Sequence, residues 1–289
     1  MISRFSEAIF THEGVDVAYS AGGDGAPLVL LHGFPQTRMM WAQIAPALAQ
    51  GRRVICPDLR GYGASSKPAL VEDYSFRAMG GDILALMDHL GHDRFDLVGH
   101  DRGARTAHRI ALDAPDRVNS LTLMDIIPTH LLLKELSHQV AKAYYHWFFL
   151  AQPEPFPETL IAADPDYFYH SCLLGWGGAT LDDFHADQLA AYRVAWRDPD
   201  TIRGMCNDYR AAIAVDLALD AADLHRRVTC PTLVLFGADG AMARAYDVPA
   251  TWADRCIDLR AATVPGGHFF PDTAPQETLA AIRDFLDRG

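Results

Sequence analysis

The chain has 289 residues, 49% of them apolar and 21% charged, a composition that excludes a disordered polymer and lets the chain bury a core without disulfide or metal staples. Its 25 Lys and Arg against 37 Asp and Glu give a formal charge of −12. That balance argues against a nucleic-acid partner, which needs a basic face, and against attraction to an anionic membrane. No apolar run approaches the length of a membrane span, and Met1 to Phe10 lack the apolar core of a signal peptide, so no membrane association and a cytoplasmic setting are expected. The five cysteines (Cys56, Cys172, Cys206, Cys230 and Cys256) are scattered, with no Cys-x-x-Cys pair, so neither a disulfide framework nor a zinc site is expected.

In chain order, short apolar runs alternate with helical patterns, the signature of βαβ units and a mostly parallel sheet flanked by helices. Val15–Tyr19 reads as a strand, 21–25 as a turn, and Pro27–His32 as a buried strand ending at His32-Gly33. Residues 39–49 read as a helix and 54–57 as a buried strand. The spacing over 76–90 predicts a helix that stops at Gly91. Phe95–Val98 is a strand running into Gly99-His-Asp-Arg-Gly103, followed by a helix over 104–112 and a strand over 118–124 that leads to Asp125. From 131 to 219 no strand runs are visible; the stretch is helical, rich in aromatics and broken by prolines. Strand texture returns at 232–236 and 256–264, and a last helix covers 276–287. The expected organisation is one α/β core, residues 1–130 and 220–289, interrupted by a helical insertion at 131–219. Such an insertion sits over the C-terminal ends of the strands, where open α/β sheets bind ligands.

The sharpest local signal is Gly99-His100-Asp101-Arg102-Gly103, of the form Gly-x-nucleophile-x-Gly at a strand–helix junction. Esterases carry Ser at its centre; here it is Asp101. A carboxylate needs no base to activate it and suits displacement at a saturated carbon, giving an alkyl–enzyme ester. A bare helix N-cap would explain the Asp but not the two flanking glycines. His268, in Pro265-Gly-Gly-His268, follows the last strand, as expected of a base that activates water against such an ester. Two aspartates could orient it: Asp125 at the end of one strand, and Asp239 after another. Hydrolases often place the acid three residues after the strand-ending glycine, but three after Gly237 is Gly240, so Asp125 is favoured. His32-Gly33-Phe34-Pro35 follows a strand where an oxyanion hole is built, with the N–H groups of Phe34 and Arg102 as donors. Arg102 adjoins the nucleophile and Arg105 lies one helical turn on, so both guanidiniums can bind a substrate carboxylate. Arg109 reads as a helix-surface ion-pairing residue.

These segments resemble the fluoroacetate (haloacetate) dehalogenases of the α/β-hydrolase superfamily: Gly99-His-Asp-Arg-Gly-Ala-Arg105, His32-Gly-Phe-Pro-Gln-Thr37, Gly267-His268, His146-Trp147 in the insertion, and Asn207-Asp208-Tyr209-Arg210. The likeness extends over essentially the whole chain. The elbow is shared with epoxide hydrolases and haloalkane dehalogenases, whereas Asp-Arg-x-x-Arg with His-Trp in the insertion is more specific. The resemblance implies an α/β-hydrolase fold with an inserted helical cap, Asp125 as the acid, and His146, Trp147 and Tyr209 as holders of the leaving halide. It also implies no cofactor, a small anionic halo-acid substrate, and a homodimer. Tyr144, Tyr145, Phe148 and Phe149 read as core aromatics of the cap. An epoxide hydrolase would use Tyr209 with Tyr144, Tyr145 or Tyr192 to protonate an epoxide, but gives no reason for Arg102 and Arg105. A binding protein on the same scaffold would be expected to lack a member of the Asp101–His268–Asp125 set.

Overall fold

The computed structural model describes residues 1–175 and 178–288. Eight strands form one sheet: β1 (Ser6–His12), β2 (Val15–Gly22), β3 (Ala26–Leu31), β4 (Arg52–Pro57), β5 (Phe95–His100), β6 (Val118–Met124), β7 (Thr232–Gly237) and β8 (Leu259–Val264). Their order is β1-β2-β4-β3-β5-β6-β7-β8. β1 and β2 pair antiparallel with each other and β2 with β4; every other pairing is parallel. The central strands β3, β5 and β6 are buried on both faces, which explains their continuous apolar runs.

Helices pack on the sheet where their apolar stripes dictate. The helix Phe76–His89 starts at Ser75, whose hydroxyl accepts the N–H of Ala78, and buries Met79, Ile83, Leu86 and Met87. Each such side chain contributes roughly 1.5–3 kcal/mol on burial. The chain turns at Gly91, whose φ is +77°. Between β6 and β7 the described residues form only helices and turns, from Thr129–Lys134 to Leu217–Ala222. This helical segment is tied to the sheet side by polar contacts. Gln188 Nε2 donates to the carbonyls of Met39 (3.1 Å) and Met40 (2.7 Å), and Tyr192 Oη donates to Asp272 (2.7 Å). Among the described residues no helix is long and apolar enough to cross a membrane.

Several local expectations give way to tertiary context. The edge strand β1 is not anticipated by the sequence, because its residues are mostly exposed and show no apolar alternation. β2 runs on to Gly22, through the start of the expected turn, because residues 19–22 pair with β4. The helix expected over 39–49 splits into a 3₁₀ segment, Arg38–Gln43, and a short helix, Ala45–Leu48, with Pro46 in its first turn. β8 begins at Leu259 rather than Cys256, which makes only an isolated bridge to Val228.

Candidate active site

Asp101 sits between β5 and the helix Arg102–Asp113 with φ +47° and ψ −113°, a backbone conformation rare for a residue with a side chain. The turn is held from both sides. A Cβ on Gly99 would meet the Gly103 carbonyl oxygen at 2.4 Å, and one on Gly103 would meet that of His32 at 2.4 Å. The Asp101 side chain makes no N-cap hydrogen bond to its helix. Instead its Oδ2 accepts the N–H of Phe34 at 3.0 Å, so the His32–Pro35 loop stands directly over the carboxylate. Burial would raise the Asp101 pKa, but the positive groups around it (His268, Arg102, His100 and Arg105) outweigh this and hold it below the usual carboxylate range.

His268 Nδ1 lies 2.7 Å from Asp125 Oδ2, and the other oxygen of Asp125 accepts the N–H of Gly237 at 3.0 Å. With the carboxylate as acceptor, Nδ1 carries the proton. Burial pushes His268 down, yet the hydrogen bond and charge of Asp125 prevail and its pKa stands above the ordinary value. Asp239, the other acid candidate, is exposed and accepts the Gly266 N–H at 3.3 Å instead. His100, beneath the site, has its Nε2 2.8 Å from the His268 carbonyl oxygen and props that loop.

The helical segment contributes a compact aromatic wall. His146 and Trp147, on the helix Tyr145–Leu150, and Tyr209, on Pro199–Ala211, are all buried. The Tyr209 ring stands edge-on to Trp147 (5.3 Å between centroids), His146 (5.4 Å) and Phe34 (5.2 Å). Among the described residues Trp147 Nε1 and Tyr209 Oη have no hydrogen-bond acceptor, a costly state for buried donors. Of the neighbouring aromatics, Tyr144 is buried and Phe148 and Phe149 are half-buried, but Tyr145 is 44% exposed and is not a core residue. Helix geometry explains the split: with about 3.6 residues per turn, His146, Trp147 and Leu150 share the buried face of this helix and Tyr145 falls outside it.

The two arginines meet this wall differently. Arg102 packs over the Tyr209 ring (4.3 Å) and Trp147 (4.9 Å), and its Nε (2.9 Å) and Nη2 both donate to the carboxylate of Asp208. Asp208 also accepts from Tyr62 Oη at 2.6 Å. Arg102 Nη1 is left without a partner among the described residues. Arg105 donates through Nη1 to the carbonyl of Ile127 (3.1 Å) and the hydroxyl of Thr129 (2.9 Å), while its Nε is unpartnered. Burial and the charge of Arg102 push its pKa down to about 10. Arg109 is spent in ion pairs with Asp113 and Asp223.

The structure thus brings Asp101, His268, Asp125, Phe34, Arg102, Arg105, His146, Trp147 and Tyr209 into one buried cluster. Sequence reasoning left Asp208 unassigned, although it adjoins Tyr209; the signal, an acid beside a pocket aromatic, is too common to stand alone. No cluster of three or more metal-ligating side chains occurs among the described residues.

Residues 26–275 match the alpha/beta hydrolase fold family. An alpha/beta hydrolase of solved structure from Nostoc sp PCC 7120 superimposes with a TM-score of 0.97 at 47% identity, covering 99% of both chains. The fluoroacetate dehalogenase of Burkholderia sp is 50% identical over 99% of this chain and 95% of its own. The soluble epoxide hydrolase of Corynebacterium sp. (strain C12) is 31% identical over 94% of both. The chain belongs to the α/β-hydrolase superfamily and, within it, to the fluoroacetate dehalogenase family of carbon–halide hydrolases.

Proposed function

We propose that the protein hydrolyses 2-haloacetates, taking fluoroacetate to glycolate and fluoride, with the core 1–130 and 220–289 supplying the chemistry and the cap 131–219 the substrate pocket. The observation that carries this reading is the convergence of two buried guanidiniums and two unpartnered donors, Trp147 Nε1 and Tyr209 Oη, around one partly desolvated carboxylate. A neutral substrate would leave Arg102 Nη1 and Arg105 Nε, which have no acceptor among the described residues, unsatisfied in the buried pocket.

In the first step Arg102 and Arg105 hold the substrate carboxylate and an Asp101 oxygen attacks the halogen-bearing carbon. A carbon–oxygen bond forms as the carbon–halogen bond breaks, and the halide takes the bonding pair. His146, Trp147 and Tyr209 receive it. Hydrogen bonds to a charged acceptor stabilise by about 1.5–3 kcal/mol each, which matters for fluoride because it must exchange a strong hydration shell for protein donors. In the second step His268 Nε2, oriented by Asp125, takes a proton from water, and the resulting hydroxide attacks the Asp101 ester carbonyl. The oxyanion is held by the N–H groups of Phe34 and Arg102, each such donor being worth about 3–4 kcal/mol. As the intermediate collapses, the His268 imidazolium gives its proton to the departing glycolate oxygen, and the Asp101 carboxyl loses its proton to solvent, which restores both side chains. No organic cofactor or metal takes part, and the product of each step is neutralised by groups already in place.

Fluoride-electrode detection with fluoroacetate, run beside chloroacetate and styrene oxide, tests the reading. Halide release without diol formation supports it; diol from styrene oxide with no halide from either acid overturns it in favour of epoxide opening. For that second reaction Tyr209 offers a buried hydroxyl without an acceptor among the described residues, whereas Tyr192 is committed to Asp272 and Tyr145 is exposed. With His268→Asn the ester should accumulate on Asp101 and add a carboxymethyl group to the protein mass; an unmodified protein after single turnover would remove the histidine from the mechanism. A cytoplasmic homodimer completes the proposal and is checked by the mass of the native protein in solution.

A further inference from the structure

We infer that Asp208 is a positioning residue for the reaction: it clamps Arg102 from the helical segment, sets which guanidinium nitrogen faces the substrate, and leaves Arg105 to supply the charge that attracts an anion. The inference rests on the 2-haloacetate reading above and concerns the same pocket.

Three observations support it. Arg102 and Asp208 are both fully buried and joined through two guanidinium nitrogens, and Nη2 donates in addition to the Asp208 backbone carbonyl at 3.0 Å. Tyr62 Oη donates to the same carboxylate at 2.6 Å, so its position is set from the sheet side as well as from its own helix. With Nε and Nη2 engaged, the guanidinium plane is fixed, and Nη1 is the nitrogen left to donate. A bidentate pair confers orientation as well as attraction, and an arginine so held loses no further rotamer freedom when a ligand arrives.

The consequence is a division of labour. Arg102 is charge-neutralised by Asp208 and acts as a fixed hydrogen-bond donor. Among the described residues Arg105 bonds only neutral oxygens, those of Ile127 and Thr129, and the acid that chiefly supports its charge is the nucleophile Asp101. When Asp101 becomes an ester that support disappears, and the carboxylate of the bound two-carbon unit replaces it. Arg105 therefore has an anionic neighbour throughout the cycle, while Arg102 needs none from the substrate. Removing the Asp208 charge would make the pocket more positive, so a purely electrostatic view predicts tighter anion binding; the positioning view predicts the reverse.

The experiment compares Asp208→Asn, Tyr62→Phe, Arg102→Met and the Asp208→Asn/Arg102→Met double variant. The readouts are KM and kcat for chloroacetate and the inhibition constant of glycolate. Wild-type chloride release establishes the underlying reading independently; its absence would sink that reading rather than this one. Asp208→Asn should raise KM and the glycolate constant by about tenfold or more, with a smaller fall in kcat, and Tyr62→Phe should shift both in the same direction by about two- to threefold. In the Arg102→Met background, Asp208→Asn should change neither constant further. Breaking a buried ion pair is destabilising, so if Asp208→Asn fails to fold, the Tyr62→Phe shift and the double variant, which buries no unpaired charge, decide the matter. Unchanged or tighter binding in folded Asp208→Asn, an equal effect of that change in both backgrounds, or no shift in Tyr62→Phe would overturn the inference.

Discussion

The sheet-borne half of the pocket and the helix-borne half are built on opposite principles. On the sheet side each reactive group already has a partner: Asp101 has the Phe34 N–H, His268 has Asp125, and Asp125 has the Gly237 N–H. Two of these residues, Asp101 and Asp125, hold positive φ angles at the ends of β5 and β6, so position is bought at some backbone strain. On the helical side Trp147 and Tyr209 are packed but keep donors without acceptors among the described residues; the two arginines that face them stand on the helix after β5, and among the described residues only Arg102 of the two has a carboxylate bonded to it. In the proposed mechanism the first half makes and breaks an ester and the second receives the ligand. One scaffold can keep the former and change its substrate through the latter, which fits the similarity of this chain to both a fluoroacetate dehalogenase and an epoxide hydrolase.

Four measurements break or sharpen that contrast. Asp101→Asn should lower halide release by roughly 10⁴-fold or more, because the sheet half acts as a unit and nothing replaces its nucleophile. Asp125→Asn should cost about 10³–10⁴-fold in steady-state turnover while Asp239→Asn stays within about threefold; equal losses would mean that Asp125 does not orient the base. Trp147→Phe and Tyr209→Phe should each lower fluoroacetate turnover by about 10- to 100-fold and chloroacetate turnover less, since fluoride depends more on donors that replace its hydration. Equal losses on both halides would assign these side chains to packing. The smallest effect is on pH. His268 is a base only when neutral and its pKa is raised, so steady-state turnover should fall as pH drops through a value above 6.5. Asp101 has a lowered pKa and remains ionised there, so the first burst of halide should survive. A burst and a steady state that titrate together would contradict the assignment of the two steps to the two residues.

The parts of this arrangement that were legible in the sequence are those fixed locally. The elbow could be read because a sharp strand–helix turn demands small residues on either side of the nucleophile, and Gly99 and Gly103 provide them within five positions. The helix over 76–90 could be read because its stripe, start and stop all lie inside one segment. For the acid beside His268 the sequence favoured Asp125 over Asp239 on spacing alone, because the pairing spans 143 positions; the structure sets Asp125 against His268, while Asp239 accepts the half-buried Gly266 N–H. The Arg102–Asp208 pair, 106 positions apart, was not legible: charge patterning within a helix says nothing about a partner supplied by another layer of the fold. β1 escaped for the converse reason, since an exposed edge strand carries no apolar signature.

Asp101 is only 4% exposed and His268 only 3%, so the cluster lies behind a closed door. The bolts are known: Gln188 on the Met39 and Met40 carbonyls, and Asp272 joined to Tyr192 on one side and to Gln36, two residues beyond Phe34, on the other. Burial pushes the Asp272 carboxyl up to about 7, so this bolt changes its charge near neutrality. None of these bonds touches Asp101 or His268, so the ties between the two layers and the buried pair beneath them are made by separate residues.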